Sequence, residues 1–201
     1  MAELLLELQS EELPSSMQRR AVSELASYAK NELKAANLVF KNVTVYAAPR
    51  RVTMLIDGLE ATQQDSKTEK RGPRVDAPEK AIEGFLRSTG ITLENLEKRT
   101  TDKGEFYFAV TEEQGGDVAT LLKEVIYTML CRFVWPKSMR WNDYDIRWAR
   151  PLHNILCLFD GKVIPVTFGH LTANDNSCGH RFLAPNSFQV KDFADYQQKL
   201  R

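Results

Sequence analysis

The chain opens on an apolar run, Leu4-Leu5-Leu6, with Glu3 and Glu7 on either side and Leu8 beyond. Its length suits a short strand over Leu4 to Leu8. Pro14 suits the first position of a helix, where a missing N–H costs nothing. Met17, Ala21, Leu25, Ala29 and Leu33 then recur every four residues, joined by Val22, Ala26 and Ala36. That spacing predicts a helix with one buried stripe, ending near Asn37. Two strand-like runs follow, Val43 to Ala47 and Val52 to Gly58, joined through Ala48-Pro49-Arg50-Arg51. Pro49 and its arginines predict a tight connection with two basic side chains at its exit.

Residues 63–76 are polar, of mixed charge and punctuated by Gly72-Pro73, and read as a loop. Pro78 starts a second helix, with Ala81, Ile82, Phe85 and Leu86 on its apolar face and Gly90 as its stop. Phe106, Phe108 and Val110 alternate as in a strand. Gly115-Gly116 breaks the chain, and Asp117 is placed to cap the next helix. That helix is marked by Val118, Leu122, Val125, Ile126 and Met129, and Pro136 ends it. Cys131 lies beside its stripe and reads as a small structural thiol. Strands over Leu152 to Phe159 and Val163 to Phe168 flank the hairpin dipeptide Asp160-Gly161. Residues 190–201 read as a helix that has just begun. Separate helices among hairpin-like strands argue for an α+β fold with antiparallel or mixed sheets, not alternating βαβ units. The expected organisation is two packed subdomains, about 1–60 plus 105–190, with a helical insertion over about 61–104.

Composition narrows the class. The chain has 201 residues, 43% of them apolar and 9% aromatic, enough for a real core. No apolar run reaches the ~18–20 residues needed to span a bilayer. The N-terminus lacks the basic region of a signal peptide. Cys131, Cys157 and Cys178 are odd in number and widely spaced, which points to a reduced, cytoplasmic protein. The 27 Lys and Arg balance the 27 Asp and Glu, for a formal net charge of zero. Free-standing nucleic-acid binders usually carry a basic excess, so contact with RNA would need a local patch or a larger assembly.

The common catalytic signatures are missing: no Walker A loop, no G-x-G-x-x-G, no H-E-x-x-H and no G-x-S-x-G. His170, Cys178 and His180 make a weak zinc set without a C-x-x-C partner. His153, at the mouth of a strand, reads as a surface or hydrogen-bonded histidine. A stand-alone enzyme with a small-ligand pocket around His153, His170 and His180 has no motif in its support. One window does stand out. Trp135, Trp141 and Trp148 lie among Arg132, Lys137, Arg140, Arg147 and Arg150, against only Asp143 and Asp145. Indoles stack on bases and guanidinium groups bind phosphates. The alternative, which the usual burial of tryptophan favours, is that the indoles are core anchors.

The same window carries a resemblance. Trp135-Pro136-Lys137-Ser138-Met139-Arg140-Trp141, followed by Ala149-Arg150-Pro151-Leu152, resembles the signature of the beta subunit of bacterial heterotetrameric glycyl-tRNA synthetase. The opening Glu3 to Leu8, Ser10-Glu11-Glu12-Leu13-Pro14, Pro49-Arg50-Arg51 with Gly58-Leu59, Gln64-Asp65, Gly72-Pro73, Gly84-Phe85 and Gly179-His180-Arg181-Phe182 match in the same order. The clearest departure is Gln9, where the family tends to be apolar.

The resemblance implies an aminoacyl-tRNA synthetase ligase of protein biosynthesis, working in the cytoplasm. In that family a separate alpha subunit uses ATP and Mg to activate glycine. The beta subunit supplies most contacts to tRNA-Gly and continues into further C-terminal domains. This chain would then be an N-terminal fragment, with no catalytic residue, no metal and no cofactor of its own. Its partners would be the alpha subunit, tRNA-Gly and the remainder of the beta subunit, with no membrane involved. The candidate tRNA contacts are Arg50, Arg51, Lys137, Arg140, Trp141, His180 and Arg181. Arg50 and Arg51 leave a turn, Lys137 and Arg140 follow a helix end, and His180-Arg181 follow a glycine, the kind of exposed terminus where phosphates are held. The alternative for each is an intramolecular ion pair or core support, in a module that assembles with protein alone.

Overall fold

The computed structural model describes residues 2–60, 66–101, 104–113 and 116–201. In chain order its elements begin with β1 (Ala2–Ser10), α1 (Ser15–Arg20), a π-helical turn (Ala21–Leu25), α2 (Ala26–Ala35), β2 (Asn42–Ala48), β3 (Arg51–Leu59), β4 (Ser66–Arg74) and α3 (Glu79–Thr89). They continue with β5 (Leu96–Thr101), β6 (Gly104–Glu113), α4 (Val118–Arg132), β7 (Leu152–Phe159) and β8 (Lys162–Val163). The short strands β9 (Thr167–Phe168), β10 (Leu171–Thr172), β11 (Asn176–Cys178) and β12 (Ser187–Gln189) precede α5 (Phe193–Lys199). The fold is α+β. Two compact units result, Met1–Gln63 with Gly116–Arg201, and Gln64–Gly115.

The first unit is built on a five-stranded antiparallel sheet in the order β2-β3-β1-β7-β8. β1 is its central strand. A strand covered on both faces must be apolar on both, which explains why Leu4, Leu5 and Leu6 run without a break. Leu4, Leu6 and Leu8 point to one face, where they join Val45, Met54, Ile56 and Ile155 under side chains of α2 and α4. Leu5, Leu156 and Leu158 point to the other, against Val190, Tyr196 and Phe193.

The helical stripe forms as its spacing predicts, but not as one α-helix. A strict four-residue spacing advances about 40° per step on a helix of 3.6 residues per turn. The extra residue of the π-helical turn at Ala21–Leu25 takes up that drift, so Ala21, Leu25, Ala29 and Leu33 all remain buried. Asn37, at a φ of 53°, ends α2 in a Schellman arrangement. Its N–H donates to the Lys34 carbonyl at 3.0 Å, and the Leu38 N–H donates to the Leu33 carbonyl at 2.9 Å. Asp117 caps α4 as expected, accepting from the Thr120 N–H at 3.0 Å. Asp160 and Gly161, with φ of 49° and 74°, make the two-residue hairpin turn between β7 and β8.

The strand expected over Val163 to Phe168 is divided. Pro165 has no N–H to donate, and the Val166 N–H closes a tight turn on the Ile164 carbonyl at 2.8 Å. The chain therefore leaves the sheet after Ile164, whose N–H still donates to the Cys157 carbonyl at 3.0 Å, and pairs next as β9 with β10.

The second unit corrects two expectations. The insertion is not helical: it is an antiparallel sheet in the order β4-β6-β5, with α3 packed on one face. β6, expected in the main body from residue 105, belongs to it. The polar stretch read as a loop over residues 63–76 holds β4, while its residues 63–65, like Gly115, lie outside the described residues. β4 is an edge strand, which tolerates charged side chains, and its register shifts between Arg71 and Arg74 to accommodate Gly72-Pro73. A Cβ at Gly72 would lie 2.5 Å from the Phe85 ring of α3. Leu96, Tyr107 and Ala109 form the buried centre, with Ile82, Phe85 and Leu86 packed against it. Among the described residues no helix is long and apolar enough to cross a membrane.

Candidate nucleic-acid interface

The face of the five-stranded sheet that carries Leu5 also holds a buried polar group. Alternation along β1 places Glu7 on the same side as Leu5, and the carboxylate has no exposed surface. A buried charge persists only when it is paired and hydrogen-bonded. Arg51 Nη1 donates to Glu7 Oε2 at 2.9 Å and Ser177 Oγ to Oε1 at 2.7 Å, while the Tyr196 hydroxyl donates to Oε2. Tyr196 also meets Thr53 Oγ1 at 2.8 Å. Burial, and then the Glu7 carboxylate, push the Tyr196 hydroxyl well above its ordinary range. Burial is the largest single influence on Arg51 and opposes its charge, but Glu7, Tyr196 and Cys178 together outweigh it and leave the guanidinium more basic than usual. Gln9 joins this network: its side-chain amide donates to Ser177 Oγ at 3.4 Å and to the Cys178 carbonyl at 3.5 Å.

Arg51 reaches further. Its Nη2 donates to the carbonyls of Cys178 at 2.7 Å and Gly179 at 3.3 Å, so it ties the loop after β11 to the sheet. That loop is closed by its own bonds. The Ala184 N–H donates to the His180 carbonyl at 2.8 Å, and the N–H groups of Phe182 and Leu183 donate to His180 Nδ1 at 3.3 and 3.4 Å. A Cβ at Gly179 would lie 2.7 Å from the Ala184 side chain, so only glycine permits this approach.

Arg50 stands beside the loop. The β2–β3 turn is Pro49-Arg50, and residues 10–13 are knitted to it: the Ser10 N–H donates to the Arg50 carbonyl at 2.9 Å, and the Leu13 N–H to that of Pro49. This brings Glu11 and Glu12 among the cations. Arg50 Nη2 lies 3.4 Å from Glu11 and Arg50 Nε lies 3.9 Å from Glu12. Arg181 lies 3.2 Å from Glu12, and His153 Nε2 lies 2.7 Å from Glu11. The His153 hydrogen bond, and after it the Arg50 charge, hold the Glu11 carboxyl below the usual carboxylate range.

Glu12, Arg50, His153 and Arg181 line one cleft of about 910 Å³, near the upper end of the size range of ligand sites. Arg50, Arg51, Arg181, Lys199 and Arg201 supply its permanent positive charge, and Glu12 is the carboxylate among its lining residues. His153 and His180 add two imidazoles. The structure therefore assembles Arg50, Arg51, His180 and Arg181, which the sequence leaves far apart.

It does not bring the other three to this cleft. Lys137 and Arg140 are exposed on the segment after α4, where Arg140 lies 3.5 Å from Asp145. Trp141 packs against the core, while Trp135 and Trp148 are buried within it, edge to face with centroids 5.2 Å apart. The tryptophan window is thus mainly a core element, as indole burial predicts. His170 stacks on Tyr144 at 4.7 Å and does not line the cleft, and no three metal-ligating side chains converge among the described residues. Cys131, expected as a structural thiol, is exposed, whereas Cys157 is buried and its thiol is pushed up by burial.

Sequence reasoning missed Glu7, Ser177, Tyr196 and Lys199. Only Glu7 leaves a signal, as an acid inside an apolar run. Ser177 and Tyr196 lie 170 and 189 residues from it along the chain, and no local pattern marks their convergence.

Comparison with known proteins adds a second line. A family model described as glycyl-tRNA synthetase beta subunit matches residues 4–201. A protein of Dinoroseobacter shibae named glycine--tRNA ligase beta subunit is 47% identical over 205 residues, covering 100% of this chain and 28% of its own length. Proteins of the same name from Rhodospirillum centenum and Rickettsia felis are 42% and 41% identical, again over 100% of this chain and over 32% and 30% of their own lengths. The chain thus spans roughly a third or less of the curated relatives it matches.

Proposed function

The chain belongs to the glycyl-tRNA synthetase beta subunit family, and from that premise we propose that it is the N-terminal, non-catalytic part of a glycine–tRNA ligase beta subunit. In this reading it supports binding of tRNA-Gly and assembly with the alpha subunit. The alpha subunit carries the ATP- and Mg-dependent activation of glycine, in the cytoplasm, and this part of the beta subunit performs no chemical step by itself.

One observation carries the RNA reading: the cleft gathers Arg50, Arg51, Arg181 and Lys199 from separate stretches of chain. Phosphates are held by such clusters, with bidentate guanidinium contacts the strongest. The neighbouring acids do not prevent this. Glu11 and Glu12 keep 38% and 54% of their side-chain surface exposed, and ion pairs that open to water are weak enough for a phosphate to displace.

The test is titration of labelled tRNA-Gly with the assembled alpha–beta enzyme at several salt concentrations. Arg50→Ala with Arg181→Ala is expected to weaken binding and to reduce the logarithmic salt slope by about one unit for each phosphate no longer neutralised. Wild-type affinity with a wild-type slope overturns the reading. A second reading is favoured by the same pairing of Arg50 and Arg181 with Glu11 and Glu12, in which these residues only brace a protein-assembly module. There the double variant changes association of alpha with beta and leaves tRNA affinity untouched.

A further inference from the structure

Phe182 sits beside this cleft without a structural task. Phe182 is 74% exposed and Leu183 is 85% exposed, the two most exposed large apolar residues among those described. Exposing an aromatic ring to water is unfavourable, and among the described residues its ring contacts are to its own loop neighbours Arg181 and His180. Yet the backbone that carries the ring is held in place. The Phe182 N–H donates to His180 Nδ1, the turn is closed by the His180 carbonyl, and the loop's root is tied to Arg51 and, through Arg51, to buried Glu7. The Arg181 guanidinium lies 4.7 Å from the ring centroid and the His180 imidazole 6.0 Å.

We propose that Phe182 is a base-stacking residue, whose ring receives an unpaired nucleotide of the RNA strand that the cleft holds by its phosphates. The inference rests on the RNA-binding reading above and adds the part of the RNA recognised there. A cationic groove joined to an exposed aromatic ring on a tied loop is the combination that single-stranded nucleic acid requires: the cations take the backbone and the ring takes a base. A base inside a duplex has both faces covered, so the occupant is an unpaired one. The charge of the cleft favours a nucleotide over an apolar protein segment, because its lining cations outnumber its one lining carboxylate, Glu12, and the ion pairs of Arg50, Arg181 and Lys199 are open enough to water for a phosphate to displace.

The experiment compares Phe182→Leu and Phe182→Trp in the assembled alpha–beta enzyme, titrated with tRNA-Gly over a range of salt. Leucine keeps the apolar bulk and loses the ring, so Phe182→Leu is expected to weaken binding roughly 5- to 100-fold with the salt slope unchanged. Phe182→Trp is expected to bind at least as tightly as wild type, and its new indole fluorescence to be quenched by tRNA. The position is exposed, so melting temperatures of both variants should match wild type and affinity changes will not reflect misfolding. Wild-type affinity in Phe182→Leu overturns the proposal. So does a defect in Phe182→Leu that appears in alpha–beta association instead of in tRNA binding, which would make the ring a protein contact. If Arg50→Ala with Arg181→Ala still weakens tRNA binding in that case, the RNA reading survives and only the stacking role falls.

Discussion

At the residue scale the decisive group is Glu7, a carboxylate at the centre of a sheet with Arg51 as its charged partner. Arg51 connects this buried charge to the loop that presents His180 and Arg181. Removing it leaves Glu7 uncompensated. Arg51→Ala is expected to destabilise the chain by roughly 3 kcal/mol, the low end for a broken buried pair because the Arg51 side chain keeps 19% exposure. Urea denaturation measures it, and a destabilisation below half of that would mean Glu7 is held by Ser177 and Tyr196 alone. Tyr196 adds a pH signature. Its folded pKa is raised above the unfolded value near 10, so the stability it contributes is complete below about pH 10 and is lost as pH climbs further. The gap in stability between wild type and Tyr196→Phe should therefore narrow above pH 10, whereas parallel curves would contradict this. The sequence displays Arg50, Arg51, His180 and Arg181 as exposed-terminus cations, and four of seven candidates do converge. Lys137, Arg140 and Trp141 do not, because a cluster of indoles and arginines in sequence looks the same whether the indoles stack on a ligand or on Phe133 and Phe168.

At the element scale, apolar patterning worked where burial wrote it into the chain: α4 shows a one-sided stripe, β7 an unbroken apolar run because both of its faces are covered, and the Asp160-Gly161 turn its hairpin dipeptide. It failed in two physical circumstances. β4 is a charged edge strand whose pairing with β6 is carried by backbone hydrogen bonds, so its side chains give no alternation to read. The segment after β8 was broken by Pro165, whose effect depends on the missing N–H more than on the apolar neighbours that suggested a strand. The close of α2 was legible in outline, and its geometry makes a prediction. Asn37 holds a left-handed conformation that glycine adopts freely and alanine does not. Asn37→Ala should cost about 1 kcal/mol in urea denaturation, and Asn37→Gly should cost little or nothing. Equal destabilisation in both variants would assign the cost to the asparagine side chain instead.

At the scale of the whole chain, the zero net charge proved uninformative because it averages over a cleft where cations predominate and surfaces where they do not. The division into units was partly legible: an insertion was expected, but β6 belongs to it and its framework is a sheet. Sequence composition could not assign β6, since the alternation of Phe106, Phe108 and Val110 marks a strand without saying which sheet it joins. The two units should differ sharply in independence. The first holds the continuous core that includes Leu4, Leu122, Ile126 and Trp148, and it contains all three tryptophans. The second centres on Leu96, Tyr107 and Ala109, a small core for about 50 residues, near the limit at which a domain stands alone. Replacing residues 64–115 by a flexible Gly/Ser linker is therefore expected to leave a cooperative thermal transition and the blue-shifted emission of buried Trp135 and Trp148. The excised segment by itself should melt without a cooperative transition. A red-shifted, non-cooperative linker variant would show that the first unit depends on the second for its core, because emission from Trp135 and Trp148 reports directly on the packing around Phe133 and Phe168.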